Sequence, residues 1–269
     1  MDYADYEHLR FERPEPGVLL ITIDRAERYN ATHERLHWEL SKVWLNVADD
    51  EDTRVAVITG EGKAFSAGGD LDMVQRQSGS FTRVAQAMRE AGDIVLNITN
   101  CEKPVISAIN GVAVGAGLAV ALMADISIAS EKATFSDGHV RIGVAAGDHA
   151  AIIWPLLCGL AKARYYLLTA DFLDGREADR IGLVSKCVPH EELMSTAMSI
   201  AHNLANGPQY AIRWTKGSLN HWVRDAGPIF DASLALEMLG FFGHDLEEGV
   251  AALREKRDPQ FPSVTAQSS

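Results

Sequence analysis

The apolar residues of this chain form short buried runs first and helical patterns afterwards. Runs of β-branched and aliphatic residues lie at 17–24, 55–59, 104–109 and 126–129. Between these runs, apolar residues recur at helical spacing, most clearly over 32–48 and 81–99. Buried strands that alternate with amphipathic helices are typical of an α/β protein with a parallel sheet.

From His190 onward the pattern is helical. It predicts helices over 190–206, 208–223, 227–242 and 245–254. We therefore interpret residues 1–190 as the α/β core and residues 191–269 as a helical C-terminal region. Residues 73–82 are largely polar and contain Gly79, which predicts a mobile loop.

Two glycine-rich segments each stand between a predicted strand and a predicted helix. Residues 63–71 read KAFSAGGDL, and residues 110–118 read NGVAVGAGL. Glycine lets a backbone turn sharply and approach a ligand closely. The first N–H groups of a helix are unpaired and lie at the positive end of its dipole. Two such turns that face each other would stabilise an enolate or a tetrahedral oxyanion.

Composition and charge narrow the possible partners. The chain has 269 residues, 47% of them hydrophobic, which is ample for a buried core. A net charge of −12 argues against a nucleic-acid-binding protein. The three cysteines form no C-x-x-C pair, so neither a disulfide framework nor a metal site is expected. The acidic N-terminus lacks an apolar segment, and together these features predict a cytoplasmic protein.

One stretch has the length of a membrane span. Residues 104–124 contain no charged residue. The sequence Ile109-Asn110-Gly111 divides this stretch and is a turn signal. It therefore predicts a buried strand, a turn and a buried helix, and no contact with a membrane.

Several motifs occur in an order and spacing that resemble one known family. They lie at 23–31, 62–71, 103–111, 115–117, 124–125, 182–184 and 255–259. Together they resemble the crotonase (enoyl-CoA hydratase/isomerase) superfamily from about residue 18 to residue 261. The resemblance implies a β-β-α spiral core with a C-terminal helical trimerisation region, assembled as a homotrimer or as a hexamer made of two trimers.

The resemblance also implies the substrate and how it is held. The substrate would be an acyl-CoA thioester, so CoA is part of the substrate and no separate cofactor is expected. The thioester oxygen would lie between the backbone amides of Gly69 and Ala116. Loss of one such donor typically costs about 3–4 kcal/mol in the transition state. The positions that match CoA-contacting residues are Arg28, Tyr29, Ala64, Ala67 and Asp70.

The sequence departs from the family where hydratases carry two catalytic glutamates. Ala119 stands at the first of these positions and His139 at the second. Alanine cannot transfer a proton, whereas histidine titrates near neutral pH. Asp148 lies beside a glycine position that faces substrate in the family. We therefore predict His139 and Asp148 as the acid/base residues; the alternatives are a packing histidine and an aspartate that caps a helix.

Weaker candidates lie in the same segment, and three functions stay open. Asp137 and Arg141 are secondary candidates, and His149 is expected to be structural. The C-terminal helices show little chemistry, apart from phenylalanines expected in the acyl pocket or a subunit interface. The chain is nominally an enoyl-CoA hydratase/isomerase. The alternatives are a catalytically degenerate acyl-CoA-binding protein and a C–C bond hydrolase of diketones.

Overall fold

The computed structural model describes residues 2–265, in which the strands form two sheets. The strands are β1 (Leu9–Glu15), β2 (Gly17–Ile23), β3 (Thr53–Gly60), β4 (Ala64–Ser66), β5 (Val105–Ile109), β6 (Val112–Val114), β7 (Ile126–Ser130), β8 (Thr134–Ser136), β9 (Leu173–Asp174) and β10 (Lys186–Val188). The larger sheet has the order β1-β2-β3-β5-β7-β10, and the smaller has the order β4-β6-β8-β9. Within the larger sheet, only β1 pairs antiparallel among the described strands.

The helices surround the sheets and continue into the C-terminal region. They are α1 (Glu34–Asp49), α2 (Leu71–Gln77), α3 (Phe81–Asn100), α4 (Gly115–Met123), α5 (Ala150–Thr169), α6 (Gly175–Arg180), α7 (Leu193–Ala205), α8 (Gln209–Asp225), α9 (Gly227–Gly240), α10 (His244–Glu255) and α11 (Pro262–Thr265). The predicted α/β core followed by helices is therefore confirmed. The predicted boundary at residue 190 stays an interpretation, and residues 266–269 lie outside the described part.

The central strands are buried because both faces of the larger sheet are covered. Strand β2 reads GVLLITI and has six buried residues out of seven. One face belongs to the main core with α1 and α3, and the other packs against α7. A strand buried on both faces is expected to be almost continuously apolar. This is the pattern from which the strands were predicted.

The smaller sheet brings the candidate functional residues to one edge. Strands β4, β6 and β8 are parallel neighbours, so their carboxyl ends lie along one edge. Each glycine-rich turn follows one of these strands, and the segment of His139 follows the third. Polar loops at the carboxyl ends of parallel strands are a common setting for binding sites. Three distant segments are thereby brought to one place.

The predicted mobile loop over 73–82 is wrong for its first half. Residues Leu71–Gln77 form α2, and the Asp70 side chain caps it by accepting a hydrogen bond from the Asp72 N–H. Met73 and Val74 are buried, which gives this short helix an apolar face to pack. A good N-cap and buried side chains thus outweigh the polar composition of the segment.

Two apolar segments have the length of membrane spans. The uncharged stretch 104–124 forms β5, β6 and α4, as expected from its turn signal. Helix α5 is apolar enough to cross a bilayer by length and composition, although its backbone leaves the helical conformation at Gly159. One such helix is weak evidence for a membrane protein, so the absence of membrane contact stays a prediction.

Candidate active site

A cavity of about 420 Å³ opens at the carboxyl edge of the smaller sheet. Both glycine-rich turns and the segment after β8 contribute to its wall, and most of the remaining wall is apolar. Helices α2, α3 and α9 supply apolar side chains, among them Val74, Ala91 and Met238. A concave, mainly apolar site with a few polar groups is typical of a small-molecule pocket.

The two predicted oxyanion amides both lie at this cavity. The Thr32 N–H donates to the Gly68 carbonyl over 2.7 Å, and the Asp70 N–H donates to the Thr32 carbonyl over 2.9 Å. Because both bonds lie on the side of the chain that faces Thr32, the Gly69 N–H between them points to the opposite side. Ala116 is the second residue of α4, and its N–H therefore has no acceptor within the helix. The structure brings both residues to the cavity wall.

Gly115 allows the two turns to approach each other. Its φ is +50°, which is rarely adopted by residues with a side chain. A β-carbon placed on Gly115 would lie 3.8 Å from the Gly69 nitrogen. The two turns are thus in near contact. Their role as an oxyanion hole stays a prediction.

His139 is fixed at one ring nitrogen and free at the other. Its Nδ1 lies 3.0 Å from Asp137 Oδ1, and its backbone N–H bonds to Oδ2 of the same carboxylate. Its Nε2 lies 3.6 Å from Glu237 Oε1 and 3.8 Å from Asp148 Oδ2. These separations exceed a direct hydrogen bond, so Nε2 is left available to a molecule in the cavity.

Around His139, the pKa values of two carboxyl groups, Glu237 and Asp148, are shifted in opposite directions. Burial alone would lower the pKa of His139, but the surrounding carboxylates, including Asp137, raise it well above its ordinary value. Burial, helped by the charge of Asp148, raises the pKa of Glu237 to about 8. Burial opposes ionisation of Asp148, yet the charges of His149 and His139 hold its pKa below its ordinary range. A protonated Glu237 and an ionised Asp148 thus face one imidazole, as in an acid/base pair.

Glu237 is the site residue that the sequence interpretation missed. It comes from α9, in the region expected to carry little chemistry, and it is 4% exposed. It shares one helix face with Phe230 and Leu234, which are buried. An acidic residue on the apolar face of a helix was the available signal, because such a residue is rarely buried without a partner.

The close approach of α9 depends on a glycine. A β-carbon on Gly147 would collide with the carbonyl oxygen of Ser233 and approach Glu237. The Ser233 hydroxyl donates to the Gly147 carbonyl over 2.9 Å. This contact locks α9 against the segment of Asp148 and places Glu237 opposite His139.

Asp148 does not cap α5, and its carboxylate is instead held by His149. The N-cap of α5 is His149, so Asp148 is not the capping residue. His149 is fully buried, and its Nδ1 lies 2.5 Å from Asp148 Oδ1. This contact holds the Asp148 carboxylate with its second oxygen toward His139, which fits the structural role expected for His149.

The phenylalanines divide between the interior and the surface. Phe230 is buried and Phe241 lines the cavity, whereas Phe242 is half exposed. Among the described phenylalanines of this group, Phe241 alone lines the cavity, and its part in an acyl pocket stays a prediction.

The five residues predicted to contact CoA do not lie together: some are exposed, some are buried, and one lines the cavity. Ala67 lines the cavity, whereas Arg28 and Tyr29 lie exposed in their loop. Ala64 is buried within β4, where its carbonyl accepts a hydrogen bond from Asn30. Asp70 caps α2 and pairs with an arginine over 3.0 Å. Of the five, only Ala67 reaches the cavity wall, and contact of the group with CoA stays a prediction.

The spacing of the carboxylate and imidazole groups around His139 would by itself allow a metal ion to bind. Asp137, Asp148 and His149 place ligand atoms within 4.8 Å of one another, and so do His139, Asp148 and Glu237. Carboxylate and imidazole ligands suit several divalent metals. The carboxylate–imidazole contacts described above already account for this arrangement, so the expectation of no metal site is kept as a prediction.

We expect the stability gain from Glu237→Gln to grow with pH. The pKa of Glu237 is about 8 in the folded chain and near 4.5 when exposed. Between these values the unfolded chain releases this proton and the folded chain keeps it. The carboxyl therefore lowers the free energy of unfolding by up to roughly 1.4 kcal/mol per pH unit. Glutamine carries no such proton.

The measurement is the difference in Tm between Glu237→Gln and the unaltered protein at pH 5, 6.5 and 8. The difference should rise with pH and level off above about pH 8. A difference that is the same at all three values would contradict a raised pKa at this position.

The sequence and fold of this chain match known proteins along most of its length. The family described as "Enoyl-CoA hydratase/isomerase" matches residues 13–264. A probable enoyl-CoA hydratase, echA12, of Mycobacterium bovis is 34% identical over 265 residues, covering 94% of this chain and 92% of the relative.

Two solved structures are also similar in fold. A crystal structure of an enoyl-CoA hydratase/isomerase from Mycobacterium paratuberculosis has a TM-score of 0.86 at 32% identity, covering 91% and 97% of the two chains. A β-diketone hydrolase from the cyanobacterium Anabaena, solved with (S)-3-oxocyclohexyl acetic acid, has a TM-score of 0.82 at 30% identity, covering 89% and 96%. From this match and the shared fold, the chain belongs to the enoyl-CoA hydratase/isomerase family and is an enzyme of the crotonase superfamily.

Proposed function

We propose that this enzyme hydrolyses a β-diketone by breaking the bond between one carbonyl carbon and the central carbon. One observation carries the proposal: the free Nε2 of His139 faces the cavity between an ionised Asp148 and a protonated Glu237. Such cleavage needs a base for water, a site for an enolate and an acid for its carbon. The three requirements correspond to groups around this one cavity.

The reaction begins with attack of water on one carbonyl carbon. The neutral form of His139, which is the minor form below its raised pKa, accepts the water proton at Nε2. Asp137 holds the other ring nitrogen and stabilises the imidazolium. The carbon–carbon bond then breaks. Its electron pair moves to the second carbonyl, which becomes an enolate, and the first carbonyl becomes a carboxylic acid.

The enolate is held and then protonated. The amides of Gly69 and Ala116 donate to its oxygen, where the negative charge is largest. Glu237 gives its proton to the enolate carbon, which yields a ketone. The imidazolium of His139 returns a proton to Glu237, 3.6 Å away, and the site is restored. In total one water is consumed, and one carboxylic acid and one ketone are formed.

The departures from the hydratase pattern favour this chemistry over hydration of an enoyl thioester. Ala119 is buried and carries no titratable group at the position of the first glutamate. A new acid, Glu237, enters from a different element. The similarity to the Anabaena β-diketone hydrolase supports the same reaction class.

A second candidate is a reaction on an acyl-CoA thioester. The paired amides favour it, since they would serve a thioester enolate equally well. Relatives named as CoA enzymes also favour it, among them a crotonyl-CoA hydratase of Syntrophomonas wolfei that is 33% identical. Binding without turnover would instead indicate a catalytically degenerate acyl-CoA-binding protein.

The test is to offer the enzyme heptane-2,4-dione, cyclic 1,3-diketones and crotonyl-CoA in parallel. Diketone loss is followed by ultraviolet absorbance, and the carboxylic acid is measured by mass spectrometry in ¹⁸O-labelled water. We expect one ¹⁸O atom in the acid and no effect of a chelator. Hydration of crotonyl-CoA at typical enzyme rates, with no diketone cleaved, would overturn the proposal.

We further propose that the enzyme assembles as a trimer or a pair of trimers. Helices α8 and α9 expose large apolar side chains, including Trp214, Trp222 and Leu239. Exposed apolar groups in such number are typical of an interaction surface. The molar mass measured by light scattering tests this proposal, and a monomeric mass would contradict it.

A further inference from the structure

Arg141 lies at the mouth of the cavity, two residues after His139. Of the described residues that line the cavity, it is the sole arginine or lysine. Its guanidinium carbon lies 6.0 Å from the centre of the Phe172 ring, which also lines the cavity. Cation and ring therefore form one edge of the opening.

The guanidinium of Arg141 makes no hydrogen bond or ion pair within residues 2–265. Several other arginines on this acidic surface pair with carboxylates, for example Arg10 with three and Arg257 with two. A guanidinium offers five N–H donors in a planar fork that matches a carboxylate. At Arg141 this donor set is available to a molecule that enters the cavity.

The backbone around Arg141 is held in place. Residues Val140–Ile142 form a single 3₁₀ turn closed by bonds from Ile142 and Val144 to the His139 carbonyl. The turn packs tightly on α10, where a β-carbon on Gly249 would collide with the Ile142 carbonyl. Arg141 therefore projects from a turn that is tied directly to His139.

We propose that Arg141 binds a carboxylate carried by the substrate at the end remote from the reacting carbonyl. The substrate class is then a dioxo acid, a β-diketone with a terminal carboxylate. This inference rests on the proposed diketone hydrolysis.

The charge distribution supports one orientation for such a substrate. Asp137 and Asp148 repel a carboxylate at the catalytic end of the cavity, while Arg141 attracts it at the mouth. The neutral dicarbonyl is thereby directed toward His139. A charged guanidinium–carboxylate contact is also stronger than a neutral hydrogen bond.

The experiment compares two substrates that differ in charge and little else. These are 5,7-dioxooctanoate and its methyl ester, both cleaved to acetate and a 5-oxohexanoyl product. The ratio of their kcat/KM values is measured for the unaltered enzyme, for Arg141→Gln and for Arg141→Lys. Arg164→Gln is the matched control, because Arg164 is exposed on α5 and lies outside the cavity wall.

We expect the unaltered enzyme to prefer the acid over the ester by about tenfold or more, mainly through KM. Arg141→Gln should abolish the preference, Arg141→Lys should keep part of it, and Arg164→Gln should leave it intact. The preference should also weaken at high ionic strength. An equal ratio in the unaltered enzyme and in Arg141→Gln would overturn the inference.

Failure of the proposed function has a different signature. If no diketone is cleaved, calorimetry with 5-oxohexanoate, an expected product, tests Arg141 by binding alone. Affinity that falls about tenfold in Arg141→Gln, but not in Arg164→Gln, would uphold a carboxylate site. Equal affinity in both variants, or binding of CoA that depends on Arg141 while 5-oxohexanoate does not bind, would reject it.

Discussion

Replacement of His139 by glutamine is expected to lower kcat for diketone cleavage by about 10²–10⁴-fold. Glutamine keeps a polar group in the cavity but cannot accept the proton of the attacking water. In the unaltered enzyme kcat/KM should rise with pH through the neutral range, because the carboxylates raise the pKa of His139 and only neutral imidazole is a base. This rise should disappear in His139→Gln, which a pH profile measures directly.

The matched control is His221→Gln, which removes an exposed histidine of α8 outside the cavity wall. Its rate and pH profile should equal those of the unaltered enzyme. A His139→Gln enzyme that keeps its rate within about threefold, with the pH profile unchanged, would exclude His139 as the base.

Replacement of Ala116 by proline is expected to lower kcat by about 10²–10³-fold, because it removes one of the two amide donors. Proline is tolerated in the first turn of a helix, where Ala116 stands, and Gly115 before it has no β-carbon to clash with the ring. The thermal midpoint should therefore change much less than the rate.

Ala116→Gly provides the comparison for this variant, since it keeps the N–H and alters only the side chain. Rates are measured with the same diketone for both variants, together with Tm. If Ala116→Pro and Ala116→Gly were equally active, the amide of Ala116 would have no part in holding the enolate.

Local signals in the sequence were enough to predict that the backbone amides of Gly69 and Ala116 lie in turns at the site. Gly69 and Ala116 lie in turns between apolar strands and helices, and glycine marks such turns because its backbone freedom is needed there. That these turns face each other follows from the parallel pairing of β4 and β6. The concentration of titratable groups in one segment also marked His139 and Asp148, which both line the cavity.

The position of Glu237 could not be predicted in the same way. Its role depends on how α9 packs against the core, and no local pattern specifies that contact. Its burial on an apolar helix face was visible, but its partner was not. Helix α2 was missed for a related reason, since short helices owe their stability to tertiary packing more than to their own residues.

The contact between Gly147 and α9 also divides the reaction between two parts of the chain. In the proposed mechanism the base and the amides belong to the core, whereas the acid belongs to α9, which packs on the core through Ser233. Local opening of α9 would leave the water activated and the enolate held, but without its proton. If the proposed mechanism holds, completion of catalysis depends on the folding of the C-terminal region, and turnover then measures whether α9 is packed against the core.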